Sequence, residues 1–216
     1  MAPHYSPDTL LKILGWNCVL FCGIVVVLAV VEFVAVKCGA KPAPVAGENR
    51  GFLKSLKIAL YATPWITLIA LALSFASEKF AKLCGVELPQ QYLVQWLKPG
   101  VYEMPIRLVI GAFAIFEAPL LEELIFRRFL YRNLIRVNPA SLAAPLAFFT
   151  PQSFASVASG LVFALAHWHI ATFLPLWYLG TAFAGVYRRT GNIIAPMTVH
   201  FLFNFVNFVL CLTVMD

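Results

Sequence analysis

Apolar residues in this chain come in long runs parted by short polar stretches, and the runs set the elements. The first extends from about Ile13 to Val36, and about 20 apolar residues suffice for a helix to cross a bilayer core near 30 Å thick. It begins too late and runs too long for a signal-peptide core, and no small-x-small cleavage site follows it. A basic linker follows with Lys37, Lys41, Arg50, Lys54 and Lys57, kept irregular by Pro42, Pro44 and Gly47. A second span covers about Ile58 to Ala76, with Pro64 as an expected kink. Between residues 78 and 100 apolar and charged positions alternate, which suits a segment lying in the membrane interface.

A third run, about Pro105 to Phe126, continues in helical style to Ile135 while gathering Arg127, Arg128, Arg132 and Arg136. Pro139, Pro145 and Pro151 predict a broken or re-entrant segment over 137–152. The fourth span covers about Phe154 to Trp168 and the fifth about Phe173 to Tyr187, ending at an Arg188-Arg189-Thr190-Gly191 turn. The sixth runs from about Ile193 to Met215. The expected fold class is all-α: a polytopic membrane bundle of about six transmembrane helices. No internal repeat or low-complexity tract interrupts it.

Composition agrees. Of 216 residues, 61% are hydrophobic and 12% charged, against roughly 45–50% and about 25% in soluble domains. A soluble enzyme, a disordered tail and a disulfide mini-scaffold are thereby excluded. The net charge of +6 does not indicate nucleic acid, because the basic residues sit between apolar runs, where the positive-inside bias puts them. Eleven of the sixteen Lys and Arg follow spans one, three and five, so both termini are expected outside and the arginine-rich loops in the cytoplasm. Cys18, Cys22 and Cys211 read as small apolar residues within spans, and the five cysteines have no zinc-ligand spacing.

Several polar residues nevertheless fall inside or against the spans: Glu32, Glu117, Glu122, Glu123, His167, His200, Asn204 and Asn207. A charge at the membrane centre costs about 2.5–3.5 kcal/mol on the insertion scale, so each needs a partner, a cavity or a task. Glu123 and Arg127 are i,i+4 neighbours and pair on one helix face, while Glu122, about 100° away around the helix, is free to point into a cavity. Phe163 and His167 share a face. His200, Asn204 and Asn207 form one polar stripe. Plainer roles compete: a Glu–Arg pair can serve packing alone, Asn207 suits a helix-to-helix hydrogen bond, and Glu32 and Glu117 are bundle-interior groups without an assigned role. His167 and His169 lie about 200° apart on a helix, which argues against a joint metal site.

Three motifs follow one another in order: Glu122-Glu123-Leu-Ile-Phe-Arg127, Phe163-Ala-Leu-Ala-His167 and His200-Phe-Leu-Phe-Asn204. Together they resemble the signature of the CPBP intramembrane proteases, which include type II (Rce1-like) CAAX prenyl endopeptidases and bacteriocin-processing glutamic endopeptidases. The stretch before the third motif, with Tyr187-Arg-Arg-Thr-Gly191, is similar as well. The resemblance covers about Pro105 to Asn207 and divides the chain into 1–100, holding N-terminal spans with the basic linker and interfacial segment, and 101–216, a CPBP-like catalytic helix bundle. It implies a glutamate-dependent endopeptidase of membrane-tethered substrates. Glu122 and His167 would activate water, His200 and Asn204 would hold the oxyanion, and Glu123 with Arg127 would be structural or orienting. A carboxylate kept from water suits the general-base role, and donors aimed at the oxyanion contribute much of the rate.

No cofactor and no metal are called for, although zinc held by Glu122, His167 and His200 is an alternative. The implied partners are a membrane-anchored or lipid-modified peptide or protein and the lipid bilayer, with no nucleic acid. The substrate is left open among a prenylated CAAX tail, a bacteriocin leader and a sorting tail. The expected location is the plasma membrane of a prokaryote. Other readings stay on the table: a rhomboid-like Ser159–His200 pair, weakened by Val157 where glycine is needed; a proton-coupled transporter using Glu32, Glu117 and Glu122, weakened by the lack of an inverted repeat; and a non-catalytic immunity or scaffold protein. Depth is a difficulty. Counted at 1.5 Å per residue, Glu122 and His200 come out shallow while His167 falls near the far end of its span, so the fourth span has to tilt or begin deeper.

Overall fold

The computed structural model describes residues 5–41 and 49–214. Pro42, Pro44 and Gly47, expected to keep the linker irregular, lie outside the described residues. Among those residues every regular element is helical. Helix α1 (Pro7–Lys37) starts with Pro7 in its first turn and with Ser6 as its cap, the Ser6 hydroxyl accepting from Thr9 N–H at 3.3 Å. Helix α2 (Phe52–Leu83) carries Pro64 within it. A short α3 (Tyr92–Trp96) lies in the stretch expected at the interface.

The third run is one helical stretch over 104–134 with two widened segments. It consists of α4 (Met104–Ala112), a π segment Phe113–Glu117, α5 (Ala118–Glu123), a second π segment Leu124–Tyr131, and α6 (Arg132–Leu134). At 1.5 Å per residue the stretch is about 46 Å long, more than a bilayer core requires. These segments together form the motif helix. Short pieces follow, α7 (Pro139–Leu142) and a 3₁₀ turn Ala144–Leu146, so 137–152 is broken as its prolines predicted. Helix α8 (Pro151–Ala166) is capped by Thr150, and α9 (Phe173–Thr190) stops at Gly191, whose φ of 60° is the left-handed cap glycine takes at no steric cost. Helix α10 (Ile194–Val214) completes the bundle.

Among the described residues, four helical segments are long and apolar enough to cross a membrane: Pro7–Lys37, Phe52–Leu83, Ile170–Thr190 and Ile194–Thr213. The two further expected spans are the motif helix and α8. The latter has 16 residues, about 24 Å, and so reaches only part of the way across. Side chains such as Val26, Val31, Tyr61, Phe75 and Leu108 are exposed on the outer faces, an arrangement suited to lipid, and all backbone ladders close within helices as a bilayer demands. The chain is an integral, multi-pass membrane protein.

The core lies among α2, α9 and α10, where Ala59, Ile66, Ala70, Leu179, Phe183, Val186, Ala195 and Val199 are buried together. Tyr131, Ala155, Ala184 and Tyr187 join the motif helix and α8 to α9. Gly160 and Gly180 set the α8–α9 crossing: a Cβ on Gly180 would come within 2.7 Å of Gly160 Cα, and one on Gly160 within 2.6 Å of the Thr181 backbone nitrogen. Such contact of backbones is how small residues let membrane helices associate. Helix α1 is held at its start by a cluster of Leu10, Leu97, Tyr102 and Ile110, with the Tyr102 hydroxyl donating to Tyr5 O at 3.0 Å. Toward its other end, Glu32 accepts from Arg128 of the motif helix at 3.0 and 3.2 Å.

Candidate active site

The site is built on the motif helix, and its shape begins with a proline. Pro119 has no N–H and its ring crowds the preceding turn. Just before it the helix widens, so that Ala118 N–H donates to Phe113 O, five residues back. In that pattern the Ala114 carbonyl would be served by residue 119, which is proline and has nothing to donate. Asn204 of α10 supplies the missing hydrogen, its Nδ2 lying 2.8 Å from Ala114 O. The third motif thus ties α10 to the bend that comes one turn before Glu122 and Glu123.

Glu123 and Arg127 are both fully buried. Arg127 Nε lies 2.9 Å from Glu123 Oε2, a close ion pair rather than an aligned hydrogen bond. The remaining guanidinium nitrogens face rings: the Arg127 Cζ stands 5.0 Å from the Phe163 centroid, 5.5 Å from that of Phe183 and 5.8 Å from that of Phe126. Three aromatic faces and one carboxylate therefore hold a cation where no water reaches. Arg127 is no loop charge, as the orientation count took it to be; the helix runs on past it and it sits inside the bundle.

The other oxygen of Glu123 holds His200. Its Nδ1 lies 3.1 Å from Glu123 Oε1, and the imidazole stacks on Phe183 with centroids 4.8 Å apart. A carboxylate paired with an arginine accepts, so the hydrogen is on Nδ1. Nε2 then faces Glu122, whose Oε2 is 3.9 Å away, buried and without a hydrogen-bond partner. One imidazole stands between two carboxylates from consecutive residues of one helix.

His167 comes in from α8 as the first residue past its last turn. That helix ends abruptly because Trp168 adopts φ 50°, a left-handed conformation uncommon for a bulky side chain. His167 Nδ1 lies 2.8 Å from Phe163 O. A carbonyl only accepts, so Nδ1 carries the hydrogen and Nε2 is the unprotonated, basic nitrogen of the neutral ring. Phe163 is the hub: its centroid is 4.6 Å from that of His167, 6.0 Å from His200 and 5.1 Å from Phe126. The end of α8 meets the motif helix where Phe163 packs on Phe126.

Glu122, Glu123, Arg127 and His200 form one connected group, with Asn204 one turn beyond His200 and His167 across the Phe163 ring. Among the described residues no hydrogen bond or ion pair joins His167 to Glu122, and no three His, Cys, Asp or Glu side chains are gathered closely enough to hold a metal ion. His169 turns to a separate cluster, its Nδ1 3.2 Å from the Thr172 hydroxyl that Gln91 also contacts. The Ser159–His200 pair does not form: Ser159 is buried, donates to Ser156 O at 3.2 Å, and both His200 nitrogens face glutamates. Asn207 bonds to Phe203 O of its own helix instead of bridging two helices. Glu32 has a definite partner in Arg128, and Glu117 stands beside the Cys18 thiol of α1. The Glu123–His200 link, the Asn204–Ala114 link and the Phe183 and Phe126 faces of the arginine cage were not foreseen. Only Phe163, sharing a face with His167, gave a signal in the sequence.

No curated protein and no solved structure matches the chain. A family model does: that of the Rce1-like family, described as type II CAAX prenyl endopeptidase Rce1-like, over residues 104–206. The matched segment begins with the motif helix, ends within α10 and contains every residue of the group just described. Over residues 104–206 the chain is therefore similar to the Rce1-like family of type II CAAX prenyl endopeptidases, a family of proteases.

Proposed function

We propose that this protein is an intramembrane endopeptidase that hydrolyses membrane-tethered peptides with a water molecule activated by Glu122 and His167. The observation that carries the reading is the state of Glu122: a buried carboxylate oxygen with no protein donor, beside a second glutamate that has taken the available arginine. Leaving such an oxygen unpaired is costly, and a water bound for attack on a carbonyl would satisfy it. Glu122 accepts the proton of that water as it attacks, and the basic Nε2 of His167, held beside the Phe163 ring, is the second acceptor.

The oxyanion is assigned to His200 and Asn204. His200 is held through Nδ1 by Glu123 at 3.1 Å, which leaves Nε2 as the nitrogen turned toward Glu122 at 3.9 Å and toward the reacting group. Asn204 Nδ2 has a second hydrogen beyond the one given to Ala114 O. Donors set before the charge develops are worth several kcal/mol because they need no rearrangement. Glu123 and Arg127 are positioning residues that act through His200. The half comprising 101–216 would carry the chemistry, with the spans of 1–100 packed around it. Substrates would be peptides held in the bilayer by a lipid or a hydrophobic segment, since the site is enclosed by membrane helices.

The test is cleavage by the purified full chain of a panel of membrane-tethered peptides: prenylated CAAX tails, bacteriocin leaders and hydrophobic sorting tails. Hydrolysis of at least one class, with scission mapped by mass spectrometry, supports the reading. A folded protein that cleaves none of them would leave a scaffold or immunity role.

A further inference from the structure

Away from the motif residues, α2 and α9 leave between them an open groove of about 700 Å³. The hydrogen bond from Arg50 N–H to Thr190 O, 3.0 Å, fixes the start of α2 against the end of α9. Lys57 of α2 and Arg188 and Arg189 of α9 therefore line the same end of the groove. All three are exposed, and among the described residues none makes an ion pair. Orientation alone requires basic residues on this side; it does not require three of them to converge on one cleft.

The rest of the groove suits a lipid. Tyr61 and Trp65 continue the face of Lys57 at i+4 and i+8 along α2, and both are exposed, 83% and 66%. Aromatic rings below a basic rim are what a headgroup and the first part of an acyl chain meet at a membrane boundary. On the opposite wall stands Gly185, and a Cβ there would touch nothing within 4 Å. The space beside Gly185 is therefore open, and it belongs to the same groove that Arg188 and Arg189 line. Pockets of a few hundred cubic ångströms are the size that takes small ligands.

We infer that the α2–α9 groove is a binding site for an anionic phospholipid, with the phosphate among Lys57, Arg188 and Arg189 and an acyl chain along Tyr61, Trp65 and Gly185. Charge selects the occupant: a zwitterionic lipid offers these three cations no net negative charge, and basic clefts between spans on the expected cytoplasmic side select anionic headgroups. The site would keep the α2–α9 pair, part of the protein's core, closed against lipid exchange.

The test uses the full chain in nanodiscs and in detergent, with dioleoyl phosphatidylglycerol and dioleoyl phosphatidylcholine as probes, read by native mass spectrometry and by thermal midpoint. Phosphatidylglycerol should be retained in preference and raise the midpoint. Lys57→Gln and Arg189→Gln should each weaken retention about fivefold, the equivalent of about 1 kcal/mol per basic residue at an anionic surface. Gly185→Leu, which keeps every charge and fills that open space, should also displace the lipid, and Lys82→Gln at the far end of α2 should change nothing. Glycerol phosphate without chains should not compete. Equal retention of the two lipids, or a preference untouched by both Arg189→Gln and Gly185→Leu, overturns the site. So does competition by glycerol phosphate alone, or displacement by a prenylated peptide, which would make the groove a substrate channel.

Discussion

His200 and Glu123 are joined across two helices by a contact of 3.1 Å, and Arg127 occupies the other oxygen of the same carboxylate at 2.9 Å. Two motifs far apart in sequence thereby act as one unit. Glu123→Ala strands a guanidinium among phenylalanines and releases the imidazole. Breaking a buried ion pair from one side costs about 3–5 kcal/mol, so the thermal midpoint in detergent should fall sharply and turnover should fall with it. The Glu123→Ala, Arg127→Met double variant should recover part of the stability and none of the turnover. A Glu123→Ala protein as stable as the parent would mean that the three rings hold Arg127 unaided.

Asn204 has two tasks, and they separate in measurement. Asn204→Ala leaves the Ala114 carbonyl without a donor, which costs about 1–3 kcal/mol for a buried group. It also removes an oxyanion donor, expected to lower kcat by about 10²–10³. Both losses should appear in one variant, read as thermal midpoint and turnover. A lower midpoint with unchanged kcat would reduce Asn204 to a clasp between α10 and the motif helix.

Gly160 and Gly180 fix how deeply α8 sits, and with it the position of His167. Gly180→Ala pushes a methyl to 2.7 Å from Gly160 Cα, and overpacking of this kind costs about 1–3 kcal/mol. Because Phe163 and His167 ride on α8, turnover should fall beyond what the lower stability explains. Cleavage measured well below the midpoint of the variant decides it; parental turnover there would show that α8 has room to shift without disturbing the site.

Metal dependence separates direct activation of water from a zinc site. With Glu122 and His167 acting on water themselves, strong chelators should leave cleavage intact, and serine-directed reagents should do the same. Inhibition by a chelator, reversed by added zinc, would move the chemistry to a metallopeptidase built on Glu122, His167 and His200.

The run lengths made the spans legible, and the spacing of Glu123 and Arg127 made their pairing legible, because i,i+4 contact is a local property of a helix. The prolines likewise marked the break over 137–152. What escaped were relations between helices. Nothing local says that Glu123 meets His200, that Glu32 meets Arg128, or that Phe126, Phe163 and Phe183 converge on one cation, since these depend on how five helices cross. The Asn204–Ala114 contact was hidden for another reason. It answers a carbonyl orphaned by Pro119, and that becomes visible only once the helix is seen to widen into a π turn. Asn207 misled because an amide on an apolar face satisfies its own helix as easily as a neighbour.

Glu122 is where the assignment stands or falls, and Glu122→Gln is the most direct probe because it preserves size and removes only the base. Turnover of the variant on the best-cleaved membrane-tethered peptide should be measured beside its thermal midpoint. Loss of essentially all cleavage with the midpoint near the parent's is the expected result, and adding His167→Ala should cost little more, as for members of one catalytic unit. A folded Glu122→Gln protein that cleaves at the parental rate would contradict the assignment of Glu122 as the base.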